Sequence, residues 1–403
     1  MLVFWPAAAM VWNIIYYTFW VLVGLALLAY ASSMVSRYFR LERVPDEIHF
    51  ATTSDGWRVA VWHYRPRVAR ATDPVLLLHG LGANAINLDF TDELSLARHL
   101  ASAGYDVWLV EFRGRGRSSQ PGLFSKFKWD WSFDEYVERD IPAAVAEVVR
   151  ATGRDRLHVV GFSVGGMAMY GWLSDLRRTE TVLSAVALAA PSSFKRQSRY
   201  LGGRLLRNLR WLRHRNLMNV LAPLSGYVGV GPSNLVRLHE NLPGPLHRRA
   251  MVNVIANFSR VEMLQYSDWI IDDVFRSIDH RRDYRQELSR IDVPVLFVAG
   301  GKDMLAPPDA VKAAYDAVGS ADKKFVIASR GAGMRSNYGH EDLVMGKGAP
   351  EDVYPLVVGW LDAHGSGDRR AMGDRRQSPA GSPGGSPDEQ VTGDRRQATG
   401  DGE

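Results

Sequence analysis

Leu157-His158-Val159-Val160-Gly161-Phe162-Ser163-Val164-Gly165 is the stretch whose reading decides the fold. The apolar run Leu157 to Val160 predicts a short buried strand, and a glycine on either side of Ser163 predicts a sharp bend after it. When a strand turns straight into a helix, both backbones crowd the central residue. Gly161 and Gly165 relieve that crowding and leave the Ser163 hydroxyl exposed at the tip of the bend. The helix beginning near Val164 then points its amino end at the reacting group and favours negative charge developing there. Ser163 is therefore the candidate nucleophile. Gly-x-Ser-x-Gly arises often by chance, and it is the strand-turn-helix setting that gives this copy weight.

Outward from Ser163, apolar runs alternate with helical patterns between roughly Val44 and His364. Glu47 to Thr52 and Trp57 to Tyr64 flank the turn signal Ser54-Asp55-Gly56 and predict an opening strand pair. Val75 to Leu78, Val107 to Glu111, Leu157 to Gly161, Val182 to Ala189, Val293 to Ala299 and Lys323 to Ala328 read as buried strands. Leu94 to Ala103, Phe133 to Arg150 and Ala310 to Val318 read as helices between them. Strands buried on both faces and joined by helices imply an α/β fold with a mostly parallel central sheet. Reactive groups should then gather at the carboxyl ends of the strands.

A serine is a weak nucleophile at neutral pH and needs a base, which in turn needs an orienting group. His340, in Asn337-Tyr338-Gly339-His340-Glu341-Asp342 after the last strand, falls at the correct end of the core to serve as that base. Asp303 follows Gly300-Gly301-Lys302 at the same sheet edge and can accept from one ring nitrogen, freeing the other for the Ser163 proton. Asp309 is a rival, but Pro307-Pro308 before it predicts the start of a helix. Asp342 reads as a first-turn helix residue. For the oxyanion, His79-Gly80-Leu81-Gly82 follows a strand directly, so the N–H groups of Leu81 and Val164 form the candidate pair, with His79 structural. No metal is expected, because the histidines carry no close ligand spacing and there is no cysteine. No cofactor is expected either, since Gly114-Arg115-Gly116-Arg117-Ser118 lacks the Lys-Ser/Thr ending of a phosphate loop and reads as a turn beside the pocket.

The ends differ from the core. Leu2 to Val35 holds no charged residue, and a helix over most of it exceeds a hydrocarbon core of roughly 30 Å. Residues 1–43 are read as a membrane anchor with its juxtamembrane segment. The competing reading is a signal peptide, with Ala29-Tyr30-Ala31 as a small-x-small cleavage site. Against it, no Lys or Arg precedes the stretch, which also carries Trp5, Trp12, Tyr16, Tyr17 and Trp20. Arg37, Arg40 and Arg43 then place the globular part on the cytoplasmic side by the positive-inside bias. Residues 365–403 repeat Gly-Asp-Arg-Arg at Gly367, Gly373 and Gly393 among Ser, Pro, Gly and Gln, and are expected to be disordered. A net charge of +5 is too modest to argue for a polyanion partner, and acidic residues interspersed among the tail's arginines, with no aromatic residue there to stack on bases, make nucleic acid a poor partner; none is expected. Between these ends we expect a core in two parts, residues 44–191 and 291–364.

The remaining segment, residues 192–290, is too long for an ordinary connection and should fold as a helical cap over the site. Lys195, Arg196, Arg199, Arg204, Arg207, Arg210, Arg213 and Arg215 gather there without an acidic residue. Leu201, Leu205, Leu209 and Leu212 form one apolar stripe. Such a helix either lies in a membrane interface near anionic headgroups or packs on its own domain with a solvated basic face.

Together these residues resemble an α/β-hydrolase, most similar to the acid lipase family that includes gastric and lysosomal lipases. The resemblance is carried by His79-Gly80-Leu81, by Trp129-Asp130-Trp131-Ser132-Phe133-Asp134-Glu135, by Gly300-Gly301-Lys302-Asp303 and by Tyr338-Gly339-His340-Glu341-Asp342. The run from Val344-Met345-Gly346 to Ala349-Pro350-Glu351-Asp352-Val353-Tyr354 resembles the family's terminal helix region. It implies a Ser163-Asp303-His340 esterase acting on hydrophobic or lipid esters beneath a helical cap. Phe162 and Val164 depart from the family's usual Gly-His-Ser-Gln-Gly elbow and make the surroundings of Ser163 more apolar. Two other uses of the scaffold stay open: acyl transfer or polyester-related hydrolysis with the same triad, and a non-enzymatic membrane-associated binding protein.

Overall fold

The computed structural model describes residues 4–70, 73–122, 124–197, 202–210, 214–225, 238 and 240–366. Its strands are β1 (Glu47–Thr52), β2 (Arg58–Tyr64), β3 (Val75–Leu78), β4 (Val107–Glu111), β5 (Leu157–Phe162), β6 (Val182–Leu188), β7 (Val295–Gly300) and β8 (Lys323–Ala328). They form one sheet in the order β1-β2-β4-β3-β5-β6-β7-β8. β2 runs antiparallel to β1 and β4, and every pair from β4 through β8 is parallel. The reason lies in the side chains. β3, β4, β5, β6 and β7 are buried along their whole length, which only a sheet covered on both faces provides.

The longer helices are α1 (Phe4–Arg37), α2 (Leu96–Ser102), α3 (Ile141–Thr152), α4 (Val164–Leu173), α5 (Gly203–Leu209), α6 (His214–Leu221), α7 (Gly244–Asn253), α8 (Arg260–Asp272), α9 (Pro308–Ala317) and α10 (Tyr354–Ala363). α4 is buried on every side, so it carries Met167, Met169, Trp172 and Leu173 and no charge. Helix starts follow the sequence closely. The Ser95 side chain accepts from Arg98 N–H at α2, and Ser259 with Glu262 closes a capping box at α8.

The expected helix from Phe133 to Arg150 divides. A π-helical turn occupies Tyr136–Asp140 before α3, and Ile141 N–H bonds to the Tyr136 carbonyl across it. Pro142 explains the shift, because it has no N–H to give the carbonyl one turn back. The displaced turn delivers Asp140 to Arg113: its Oδ1 accepts from Nε at 2.9 Å and from a terminal guanidinium nitrogen at 2.7 Å. Both side chains are buried.

α5 to α8 all lie between β6 and β7, so the predicted helical insertion is present. α5 lies on α8, with Arg207 paired to Asp268. Its basic face is thus partly neutralised by its own domain, while Leu205 is exposed. Leu201, Leu212, Arg199 and Arg213 of the expected stripe and basic face lie outside the described residues, as does the tail from residue 367.

α1 is long and apolar enough to cross a membrane, and a signal sequence passes the same test. It stands free of the core over most of its length, with Trp12, Tyr17 and Leu28 well exposed. Its last turns meet the insertion: the hydroxyls of Ser32 and Ser36 donate to the carbonyls of Val220 and Asn219 in α6. Asn253 at the end of α7 bonds both the Leu41 N–H, at 2.8 Å, and the Phe39 carbonyl, at 2.9 Å. Arg43 is no free juxtamembrane charge. It is paired with buried Asp89 at 2.7 Å and with Asp92 at 2.8 Å.

Asp140→Ala leaves the buried Arg113 cation with Asp55 as its one remaining carboxylate partner. Breaking such a pair should cost about 3–5 kcal/mol, read as a lower urea midpoint in detergent. A loss below about 1 kcal/mol would show that the pair is not needed.

Candidate active site

The bend after β5 is as tight as the sequence implies. Ser163 has φ 53° and ψ −121°, a conformation that costs a non-glycine residue about 1–3 kcal/mol and survives only where the surroundings enforce it. The enforcement is visible. A Cβ on Gly165 would lie 2.4 Å from the Leu78 carbonyl oxygen, and one on Gly161 would lie 2.4 Å from the Cα of Gly166. Gly166, which the sequence reading passed over, is equally confined: its Cβ would sit 2.5 Å from that of Ala190. Ser163 N–H donates to the Leu188 carbonyl at 2.8 Å and locks the bend to β6.

His340 and Asp303 meet Ser163 at the carboxyl edge of the sheet. His340 Nε2 lies 2.8 Å from Ser163 Oγ, and Nδ1 lies 2.7 Å from Asp303 Oδ2. Asp303 Oδ1 accepts from the N–H groups of Leu305 and Ala306 at 2.8 Å each, which leaves Oδ2 for the ring. An ionised carboxylate only accepts, so the His340 proton belongs on Nδ1 and the Nε2 lone pair faces the serine hydroxyl. His340 and Asp303 are both buried. Burial pushes the His340 pKa down, but the Asp303 charge and hydrogen bond, helped by Glu341 and Asp342, outweigh it. The net shift is upward from the usual 6.5.

The loop bearing Leu81 is set by neighbours that sequence spacing does not reveal. His79 is fully enclosed, its Nδ1 donating to the Gly80 carbonyl at 2.9 Å and its Nε2 accepting from Phe112 N–H at 3.3 Å. Burial drives its pKa to about 3, so it stays neutral and structural. Asn87 accepts from Gly80 N–H at 3.1 Å and donates to Glu341 Oε2 at 2.9 Å, joining the Leu81 loop to the residue beside His340. Among the described residues, neither Leu81 nor Val164 donates its N–H to a protein acceptor.

The other candidates fall elsewhere. Asp309 is in the first turn of α9 and pairs with Arg196 at 3.0 Å. Asp342 begins a short helix, and its Oδ2 accepts from Gly339 N–H at 2.8 Å and Leu238 N–H at 2.9 Å, pinning the His340 loop to the insertion. Arg115 in the glycine-arginine turn is buried against Glu262 of α8 at 2.7 Å. That turn therefore fastens insertion to core.

The model of the alpha/beta hydrolase fold matches residues 73–333. The chain belongs to that family. This alpha/beta hydrolase is 35% identical over 144 residues to gastric triacylglycerol lipase of Bos taurus, covering 34% of this chain and 36% of that one. It is 24% identical over 372 residues to lipase member N of Homo sapiens, covering 79% and 88%. The first of these alignments thus spans about a third of its relative's length. Among solved structures, a putative aryl esterase from Burkholderia cenocepacia superposes with a TM-score of 0.53 at 16% identity, covering 79% of this chain and 99% of that one. A bacterial membrane phospholipase A gives 0.50 at 20%, covering 90% and 99%. At such identities these two likenesses concern the fold alone.

Two glycine substitutions separate close approach from open space. Gly165→Ala should abolish soluble expression or lower the thermal midpoint by more than about 10 °C, because backbone must move. Gly359→Ala, in α10 with nothing within 4 Å of the new carbon, should raise stability by up to about 1 kcal/mol. Equal effects from the two would refute the account of the bend.

Proposed function

We propose that the protein is a serine hydrolase of hydrophobic carboxylic esters, lipid esters included, working through an acyl-enzyme. The observation that carries this reading is the unbroken chain from Ser163 Oγ to His340 Nε2 at 2.8 Å and from Nδ1 to Asp303 at 2.7 Å. His340 takes the Ser163 proton as Oγ attacks the ester carbonyl, and Asp303 stabilises the imidazolium so formed. The N–H groups of Leu81 and Val164 receive the oxyanion, worth several kcal/mol in a site closed to water. The imidazolium then protonates the departing alcohol. Water activated by His340 releases the acid and restores Ser163.

Apolar substrate is favoured by Phe162, Val164 and Phe258, which surround the bend and the Leu81 loop, and by relatives named as lipases. We read residues 1–43 as an uncleaved anchor with its juxtamembrane segment, 44–191 and 291–364 as the core, and 192–290 as the cap. Support for the anchor comes from the bonds of Ser32 and Ser36 to α6, beyond the small-x-small site at Ala29-Tyr30-Ala31. Cleavage there would cut inside α1. Cytoplasmic placement now rests on Arg37 and Arg40, since Arg43 is engaged with the core.

A fluorophosphonate probe should label the detergent-solubilised chain and fail to label Ser163→Ala. An unlabelled, folded native protein rejects the enzyme reading. Hydrolysis requires neutral His340, whose pKa is raised in the fold, so kcat/KM for a p-nitrophenyl ester should fall as pH drops through a value above 6.5. Asp303→Asn removes the principal cause of that rise. The acid limb should move to lower pH and kcat fall on the order of 10^3–10^4-fold. An unmoved limb would mean that the titrating group is not His340.

A further inference from the structure

β1 and β2 pair with Glu47 opposite His63, and His49 lies two residues along β1, on the same face as Glu47. The register gathers Glu47, His49 and His63 so that one potential ligand atom of each lies within 4.8 Å of the other two. Glu47 Oε2 stands 3.2 Å from His49 Nε2 and 3.3 Å from His63 Nδ1. Ligands held tetrahedrally at about 2.0–2.1 Å from a zinc ion are themselves about 3.3 Å apart. Hydrogen bonds give similar separations, so the far side of each ring decides between them.

There, His49 Nδ1 lies 2.8 Å from Glu147 Oε1, and His63 Nε2 lies 2.6 Å from Asp106 Oδ1. Each imidazole thus meets a carboxylate at both nitrogens. A neutral ring has one N–H and can serve only one of them. With the protons on the outer nitrogens, two lone pairs converge on the Glu47 oxygen, an arrangement of acceptors that a cation resolves. A carboxylate behind the ring is also the usual support of a metal-binding histidine, fixing tautomer and orientation. The supports are themselves held. Trp108 Nε1 donates to Asp106 at 3.1 Å, Arg150 Nε donates to Glu147 at 2.9 Å, and the His63 ring stacks on Trp108 at 3.9 Å. Arg65 engages Glu47 Oε1 and leaves Oε2 available.

We propose that Glu47, His49 and His63 bind a first-row divalent cation of the zinc type, with water in the fourth position. Two imidazoles and one carboxylate suit such an ion better than magnesium or calcium, which take oxygen ligands. Entry is open, since the side chains of His49 and Glu47 are 22% and 39% exposed. The site lies where β4 begins, whereas Ser163 follows the end of β5. Its ion clamps the opening hairpin and takes no part in the reaction at Ser163.

Tag-free full-length protein in detergent, stripped with chelator, is titrated with Co2+ and then Zn2+ at neutral pH. The expected result is a single equivalent of Co2+ with the visible spectrum of a four-coordinate ion, displaced by Zn2+, and a higher thermal midpoint with either metal. Glu47→Gln and His49→Ala, checked for native circular dichroism, should each weaken Co2+ binding at least about tenfold. The site is overturned by the absence of that spectrum, or by an affinity that neither substitution changes.

Discussion

The structure turns on how closely α4 can approach the end of β5. Three glycines, Gly161, Gly165 and Gly166, permit an approach at which any side chain would overlap the first turn of α4, the Leu78 backbone or the Ala190 side chain. That contact holds Ser163 in a left-handed conformation, and the cost is local while the support comes from β3, β6 and α4 together. Because α4 is buried on all sides, the helix cannot tilt away to relieve the strain. On the proposed function, the hydroxyl is therefore fixed before any substrate arrives. Pre-organisation of this kind is what makes a short hydrogen-bonded chain to His340 useful.

Electrostatics near His340 follow from the same crowding. Asp303, Glu341 and Asp342 all surround one imidazole, yet each is given a different set of donors. Asp303 takes two backbone N–H groups, Asp342 takes Gly339 and Leu238, and Glu341 takes Asn87. Burial drives the Glu341 carboxyl upward, and the attraction of His340 and the Asn87 bond offset only part of that rise. Asn87 thus links the basicity of the site to the loop that carries Leu81.

Much of this was legible in residue order. Strands of uninterrupted apolar residues have one placement, the middle of a covered sheet, and β3 and β4 begin and end where the pattern predicts; β1 and β8 match their expected bounds too, but both are edge strands, and β8 is only partly buried where a buried strand was expected. The meeting of Ser163, Asp303 and His340 was legible because each lies shortly after a glycine on the carboxyl side of a strand. Asn87 was not, since it lies 254 residues from Glu341 and no local pattern links the two. The hairpin cluster was hidden for a related reason: only strand register sets His63 opposite Glu47, and register is a tertiary fact. The π turn before α3 was missed, although Pro142 inside the expected helix was a local signal for it, and its delivery of Asp140 to Arg113 left no mark in the sequence.

The insertion connects these parts with the amino end of the chain. It is fastened to the core by Arg115 with Glu262, by Gln265 and Tyr284 on Asp134, and by Leu238 on Asp342, and it is fastened to α1 by α6 and to the segment after α1 by α7. On the proposed membrane reading, α1 is about 1.5 Å per residue long, so its apolar length consumes the bilayer before Ser32. α6 then lies at the lipid surface because it is bonded to the last turns of α1, and α7 holds the segment just beyond, Phe39 and Leu41. A hydrophobic ester leaving the bilayer would meet the insertion before the sheet, and Asp342, which bonds the insertion and the His340 loop through one carboxylate, couples that face to the base. Membrane attachment, substrate entry and basicity would then share one mechanical path, from α1 through the insertion to His340.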